Sequence, residues 1–307
     1  MGLRIRTNIT SLNAQRQLYN STKSLQESMQ KLASGERINK AADDAAGLAV
    51  SENLNADIRS LKMAKRNAAD GVSLVQTAEG GLVETSNMLI RLRELAVQAS
   101  SDTIGNHERE YLDKEYLALK DEIDRIASST EFNGTRLLVG NTPLSEELGG
   151  QTNSFPLEIQ VSKDYYKLSD GADARSPINI IRLNFSDLNS YTTGEGSLNI
   201  GRNTEGTRVN TKMDAQQSIS IVDEAISKVN AQRAYLGSSQ NRLNSTIQNL
   251  GIQVENLSEA RSRIRDTDYA EETASLTKAN ILQQAGTAIL ATANAQPQIA
   301  LSLLGNH

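Results

Sequence analysis

Apolar residues recur at steps of three and four along most of this 307-residue chain, and this spacing constrains the fold more than any other feature. In the longest run, residues 222–264, ten of the thirteen stripe positions are apolar. One helix of that length would measure roughly 60 Å at a rise of about 1.5 Å per residue. A second run covers residues 54–82. A sustained period of 3.5 residues indicates helices that pack together as a coiled coil or bundle.

Prolines divide the chain into two long arms and a short middle. Residues 1–142 and 178–296 contain none, and proline breaks helix interiors. In the middle, residues 157–161 and 181–185 alternate apolar and polar side chains, which predicts two strands. The predicted fold is therefore mainly α: a long coiled-coil-like helical bundle made from both chain ends, with a small β-hairpin element in the middle.

Local signals mark the ends of the predicted helices. Gly35 can adopt the left-handed cap conformation after the first helix, and the Asp43-Asp44 pair can cap the next. Residues 100–105 separate the second helix from the third, and Phe132-Asn133-Gly134 predicts a turn after it. Pro297 is expected to break the C-terminal segment.

Composition excludes several classes of function. The chain has no Cys and only two His, His107 and His307, so neither a thiolate site nor a multi-histidine metal site can form. The net charge of −5 argues against a nucleic-acid binder, and no apolar run is long enough to span a membrane. We predict no catalytic residue, no cofactor and no bound metal. Asp43-Asp44 fits helix capping better than a metal site.

The two chain ends have complementary properties. Residues 1–40 carry seven basic and two acidic side chains, whereas the stretch from Ala279 to His307 carries no charged side chain. Apolar surface of this kind left in water favours association. We expect the ends to pair and to self-assemble; the alternative is an ordinary bundle whose termini only pack on the rest of the chain. The candidate self-assembly residues are Ile5, Ile9, Leu12, Leu18, Leu25, Leu32, Leu282, Ala285, Ile289, Leu301, Leu303 and Leu304.

Several long motifs occur in one order along both arms. The N-terminal arm contains ITSLNAQ (9–15), LASGERIN (32–39), DDAAGLA (43–49), RELAVQ (93–98) and EFNG (131–134). The C-terminal arm contains QNRL (240–243), ARSRI (260–264), DYA (268–270), ANILQQAG (279–286) and LSLL (301–304). On these motifs the chain resembles bacterial flagellin, the subunit of the flagellar filament, in a short form without large outer variable domains.

The resemblance implies a domain organisation. Residues 1–43 with 266–307 would form the inner-core terminal helices, 44–142 with 205–265 the helical core domain, and 143–204 a short outward-facing hairpin and loop region. Relatives often carry an acidic residue before the Asp-x-Asp-Tyr-Ala segment, where this chain has Arg265. This position lies at the joint between the inner-core helices and the helical core domain, and the ion pairing at the joint is left open.

The resemblance also implies function and partners. The chain would be exported by the flagellar type III apparatus without a cleaved signal peptide and polymerise into the extracellular filament, the propeller for swimming. Its partners would be further copies of itself, a secretion chaperone at the C-terminal segment, and the filament cap and hook–filament junction proteins. The alternatives are a hook–filament junction protein and a cytosolic coiled-coil scaffold or regulator.

One further surface is implied by the resemblance. Flagellins recognised by the host Toll-like flagellin receptor use an Arg, a Leu and a Glu that correspond here to Arg91, Leu95 and Glu115. The anchoring motifs are RELAVQ (93–98) for the first two and EIDR (122–125) for the third. The alternative role for these residues is packing between neighbouring subunits.

Overall fold

The computed structural model describes residues 8–140, 155–164, 179–185, 189–192, 197–201 and 207–304, with side chains described as far as residue 296. Its helices are α1 (Ile9–Ser34), α2 (Ala45–Ala99), α3 (Asn106–Ser129), α4 (Lys212–Arg265) and α5 (Tyr269–Leu304). Its strands are β1 (Glu131–Phe132), β2 (Thr135–Arg136), β3 (Leu157–Gln160) and β4 (Ile180–Leu183). The predicted fold class, long helices around a small β element, is confirmed.

Two compact units make up the chain. One combines Met1–Ile58 with Glu255–His307, and the other is continuous from Arg59 to Val254. The division falls inside α2 and α4, whereas the boundaries predicted from the sequence, at residues 43/44 and 265/266, fall at helix ends. Below, the first is called the terminal unit and the second the central unit.

The core of the central unit follows the heptad period. Every seventh residue of α2 from Leu61 to Leu89 is at most 3% exposed, and every seventh residue of α4 from Val222 to Leu250 at most 4%. The positions are Leu61, Ala68, Val75, Leu82 and Leu89 in α2, and Val222, Val229, Leu236, Leu243 and Leu250 in α4. One face of each helix is thus removed from water along the length of the unit, which the spacing of the sequence predicts.

Two short antiparallel hairpins complete this core. β1 pairs with β2, and β3 pairs with β4 in the register Leu157↔Leu183 to Gln160↔Ile180. The second hairpin lies on the helices: Asn67 donates to the Gln160 carbonyl at 3.2 Å, and the Tyr235 hydroxyl accepts from the Asn184 amide at 2.8 Å. The strands predicted at 157–161 and 181–185 are confirmed to within one residue at most ends.

A buried lysine fastens the segment that leads into α4. Lys120, only 1% exposed, donates to the carbonyls of Gly201 and Thr207. Asp113 on the same helix accepts from Arg208 at 2.5 Å and from the Val209 amide at 3.1 Å. Burial lowers the pKa of Lys120 to about 8, against the opposing attraction of Asp113 and Asp124.

In the terminal unit, Gly35 ends α1 with φ 71 and Asp44 accepts from the Gly47 amide at 2.9 Å, as the sequence predicts. α5 continues through Pro297 to Leu304, so the expected break at Pro297 is wrong. A proline removes one backbone hydrogen bond, and the flanking turns carry the helix past it.

Arg265 resolves the open question about the joint. It contacts the carboxylates of Glu36, at 2.9 Å, and Glu52. The hydrogen bond from Arg265 lowers the pKa of Glu52, and Glu52 first, then Glu36, raises the pKa of Arg265. Beside these ion pairs the Arg37 amide donates to the Arg265 carbonyl at 2.6 Å, and the Thr267 amide to the Gly35 carbonyl at 3.0 Å.

Lys120 predicts a pH dependence of stability with a definite sign. Its pKa is about 8 in the folded chain and about 10.4 in an unfolded one, so between these values the unfolded state binds more protons. The free energy of unfolding should therefore rise by about 1–2 kcal/mol between about pH 7.5 and 9.5, relative to Lys120→Met, which has no titrating group. Urea unfolding of both proteins at each pH measures this, and parallel pH profiles would contradict it.

Arg265 predicts a local loosening that a matched exposed arginine does not produce. Arg265→Ala removes both ion pairs of a side chain that is 17% exposed, whereas Arg263→Ala removes one pair with Glu259 whose members are 65% and 68% exposed. Exposed pairs contribute little. Hydrogen exchange at the Arg37 and Thr267 amides should become faster in Arg265→Ala and stay unchanged in Arg263→Ala. Equal exchange in the two variants would show that Arg265 does not hold the joint.

Candidate self-assembly surface

α1 and α5 lie side by side and run antiparallel. At one end Asn8 donates to the Ala293 carbonyl at 2.7 Å and Ser11 to the Asn294 carboxamide at 2.7 Å. At the other end Lys31 pairs with Glu272 at 3.7 Å. Asn8 also caps α1 by accepting from the Ser11 amide at 3.1 Å. The pairing of the chain ends predicted from the sequence is present in the structure.

Small side chains fill the contact between the two helices. Its residues below 10% exposure are Ser11, Ala14, Ser28, Ala279 and Ala293. Gly286 lies against Leu18: a β-carbon added there would be 3.3 Å from the Leu18 Cδ1 atom, closer than ordinary van der Waals contact. Small residues let the backbones approach, but they bury little apolar area, so each contributes little hydrophobic stabilisation.

Large apolar side chains of the same two helices point to solvent. Their exposures range from 49% to 71%, and the set comprises Ile9, Leu12, Tyr19, Met29, Tyr269, Ile281, Leu282 and Ile289. They include four of the residues predicted for self-assembly: Ile9, Leu12, Leu282 and Ile289. Several large apolar side chains exposed on one pair of helices indicate an interaction site.

The remaining predicted assembly residues have different positions. Leu18, Leu25 and Leu32 are half-buried, and Ala285 is exposed. Ile5 and the side chains of Leu301, Leu303 and Leu304 lie outside the described residues. The sequence therefore proposed both types of position without separating the residues that hold the helix pair from those that face outward.

An open groove runs along the exposed side of α5. Its volume is about 820 Å³, and the side chains along it are mainly apolar or hydroxyl-bearing. Lys278 provides the charged group, close to Ile281 and Leu282, which are 61% and 49% exposed. The groove is lined by Tyr269, Ala270, Thr273, Ala274, Thr277, Lys278, Ile281 and Leu282.

The residues considered for receptor binding separate into a surface pair and a core residue. Arg91 donates to Glu115 at 2.7 Å and to Glu94 at 2.9 Å, and the hydrogen bond to Glu115 raises the pKa of Arg91. Arg91 and Glu115 are 48% and 46% exposed, but Leu95 is 0% exposed within the core of the central unit. Direct contact between Leu95 and a partner is therefore not supported by its position, because it lies on the core face of α2.

The described residues contain neither a membrane-spanning helix nor a cluster of metal ligands. None of the helices there combines the length and apolarity needed to cross a membrane. Over the same residues, His, Asp and Glu side chains form no group of three or more that could hold a metal ion.

Comparison with known proteins identifies the family. Residues 5–142 match the model of the bacterial flagellin N-terminal helical region, and residues 219–304 match that of the C-terminal helical region. A flagellin of Bacillus subtilis is 40% identical, over 98% of this chain and 100% of its own length. The flagellar filament 33 kDa core protein of Treponema phagedenis is also 40% identical, over 98% of this chain and 99% of its own.

Two solved structures match parts of this chain. A Bacillus cereus flagellin crystal structure is 33% identical and covers 60% of this chain and 88% of its own, with a TM-score of 0.45. A putative flagellar hook-associated protein from Vibrio parahaemolyticus has a TM-score of 0.55 over 73% of this chain and all of its own, but only 14% identity, which shows a shared fold alone. The two matched helical regions and the identity across nearly the whole length show that this chain belongs to the bacterial flagellin family.

Proposed function

We propose that this chain is a structural subunit that polymerises into the flagellar filament, the extracellular propeller for swimming. The observation that carries the proposal is the set of eight large apolar side chains exposed on α1 and α5. The hook–filament junction alternative is not favoured, because both matched family models and the full-length relatives are flagellins. The family match disfavours the alternative of a cytosolic coiled-coil regulator. Flagellins are structural proteins and not enzymes.

Packing energetics explain why copies of the chain should associate through the terminal helices. Burying a side chain such as Ile289 or Leu12 contributes about 1.5–3 kcal/mol. A single chain leaves these side chains about half exposed or more and buries mainly Ala and Ser between α1 and α5. Neighbouring subunits that cover the exposed side chains recover this free energy. Self-association of the helix pair is therefore the simplest way to remove the apolar surface from water.

The same energetics favour terminal helices that become fully ordered only on assembly. Ordering the backbone costs roughly 1–2 kcal/mol per residue. α1 has 26 residues and α5 has 36, and the contact between them is built from small side chains. In a monomer the helix pair is then marginal, and contacts to several neighbours in a tube stabilise it.

Export and partner binding fit a chain with these properties. The absence of Cys removes any disulfide that would obstruct threading through a narrow channel, and marginal terminal helices are easily unfolded. We infer export by the flagellar type III apparatus. Before assembly, the apolar groove of α5 would have to be bound by another protein. A secretion chaperone would suit this role. The cap and junction proteins would contact the ends of the polymer.

A host receptor is a proposed secondary partner. The surface it would read is the exposed Arg91–Glu115 ion pair that joins α2 to α3. Leu95 would support this surface from beneath by packing in the core, rather than by touching the partner. The same ion pair could instead pack against a neighbouring subunit in the filament, so the two roles need separate measurements.

Substitution of one exposed apolar residue tests the assembly proposal. Ile289→Ser removes an apolar side chain that is 59% exposed and leaves the buried contact residues Ala279 and Ala293 unchanged. Because about three-fifths of this side chain remains to be buried, its loss should cost about 1–2 kcal/mol per subunit. We therefore expect the critical concentration for polymerisation to rise roughly 5- to 20-fold. Sedimentation and electron microscopy of purified protein, in chelator and without nucleotide, measure it.

The matched control for this test is Gln284→Ser, an exposed polar position on the same helix. It should polymerise like the unmodified chain. Equal critical concentrations for Ile289→Ser and Gln284→Ser would refute a role for the exposed apolar side chains, and an absolute requirement for metal or nucleotide would refute the proposed driving force.

Separate substitutions of the ion pair and of Leu95 test the receptor proposal. Arg91→Ala and Glu115→Ala should weaken receptor activation by soluble monomer without changing the melting temperature. Leu95→Ala should weaken activation while lowering core stability by about 2–5 kcal/mol, because it leaves a cavity. Arg125→Ala, which breaks the exposed Glu122 pair on α3, is the control and should match the unmodified chain. Unchanged dose responses for both Arg91→Ala and Glu115→Ala would remove the receptor role.

A further inference from the structure

The turn between β1 and β2 has an unusual backbone. The two strands pair as Glu131↔Arg136 and Phe132↔Thr135, so Asn133 and Gly134 alone form the turn. Both have positive φ, 50° for Asn133 and 77° for Gly134, as a two-residue hairpin turn of this hand requires. Both are exposed, and no heavy atom lies within 4 Å of the place a Gly134 β-carbon would occupy. The turn is therefore open to solvent on that side.

We propose that Asn133 is a site of spontaneous covalent modification, in which its side-chain amide is converted to an acid. The deprotonated main-chain nitrogen of Gly134 attacks the Asn133 Cγ atom, and its proton goes to hydroxide. The new N–Cγ bond closes a succinimide ring, the Cγ–Nδ2 bond breaks, and the amide leaves as ammonia after taking a proton from water. A second water opens the ring at either carbonyl, which gives aspartate or isoaspartate, and no oxidant or reductant is involved.

Three local properties select Asn133. Gly134 has no β-carbon to hinder the attack, and no other asparagine in the chain is followed by glycine. The hairpin has only two residue pairs, so few hydrogen bonds must break for the turn to open. The Asn133 carboxamide makes no hydrogen bond to any other part of the chain that the structure describes.

Asn199 provides an internal comparison. It is the other non-glycine residue with positive φ among the described residues, at 58°. Its successor is Ile200, which is β-branched and 0% exposed, so the main-chain nitrogen there is both hindered and buried. The same backbone conformation at these two asparagines thus has different chemical consequences, and Asn133 should react first.

The isoaspartate product would disturb the core of the central unit. It routes the main chain through the Asn133 β-carbon and lengthens a turn that fits two ordinary residues. Directly after the hairpin, the Leu137 amide donates to the Thr130 carbonyl at 3.1 Å, and residues 137–139 are 0% exposed. The product also adds a negative charge near Glu131. The change is not reversed by folding, so modified chains accumulate with age and are less stable.

Peptide mapping by mass spectrometry of the folded full-length chain, incubated at mildly alkaline and at mildly acidic pH, tests the proposal. We expect acid at position 133 to accumulate before acid at any other described asparagine, faster at alkaline pH, and partly as isoaspartate detected with an isoaspartyl methyltransferase. Asn133→Gly keeps a residue that favours positive φ and removes the reacting amide. It should retain its melting temperature through an incubation that lowers that of the unmodified chain.

Gly134→Ala tests the role of the successor residue. The alanine β-carbon meets open space but hinders the attack on Asn133. Asn133 should therefore no longer convert to acid faster than the other asparagines. Because φ 77 strains alanine, the unmodified chain and Gly134→Ala are also compared in urea, where the turn is absent and only the hindrance remains. Asn133 that stays intact while Asn199 or other asparagines convert, or equal rates in the two chains in urea, would overturn the proposal.

Discussion

Burial at every seventh position of α2 and α4 is the constraint on which the central unit depends. Two long helices with matching apolar stripes remove those stripes from water only by lying along one another or along further apolar elements. α3 provides Tyr116 and Ile123, each 0% exposed, and the segments after α3 provide further buried residues such as Leu138 and Phe185. Lys120 and Asp113 on α3 have partners within this core, since they hydrogen-bond to the segment that returns to α4.

The terminal unit follows the same helical period, but its small side chains are buried and many of its large apolar side chains are exposed. Where α2 and α4 bury mainly leucine and valine, α1 and α5 bury serine and alanine and leave isoleucine, leucine and tyrosine in water. The period alone decides that these segments are helices. The size of the side chains facing inward decides whether a helix pair is complete in one chain or needs neighbours. Under the proposed function, that incomplete pair is the interaction surface of the subunit.

Sequence reasoning succeeded where a local pattern has a local cause. Gly35 has the positive φ of a helix cap, Asp44 caps α2, and the alternation near residues 157 and 181 forms the second hairpin. Sequence reasoning failed where the burial of a residue depends on a partner in another element. Arg109 is 6% exposed because it donates to the carbonyls of Ala99 and Ser101 at the end of α2, and no sequence spacing signals that. A motif match likewise carries no information on which helix face a residue occupies, as Leu95 shows.

A filament subunit of this kind must satisfy two opposing requirements, and the division into units meets both. Under the proposed type III export the chain is extended, which favours segments with little internal stabilisation, whereas the polymer has to be stable. Eight large exposed apolar side chains lie on α1 and α5, the two segments proposed to order on assembly, so covering them there releases free energy only when chains associate. Each chain then contributes a self-sufficient central unit, and the contacts that stabilise the polymer form only between chains. The ordering cost of α1 and α5 therefore couples folding to assembly, and it keeps free chains from being as stable as the filament.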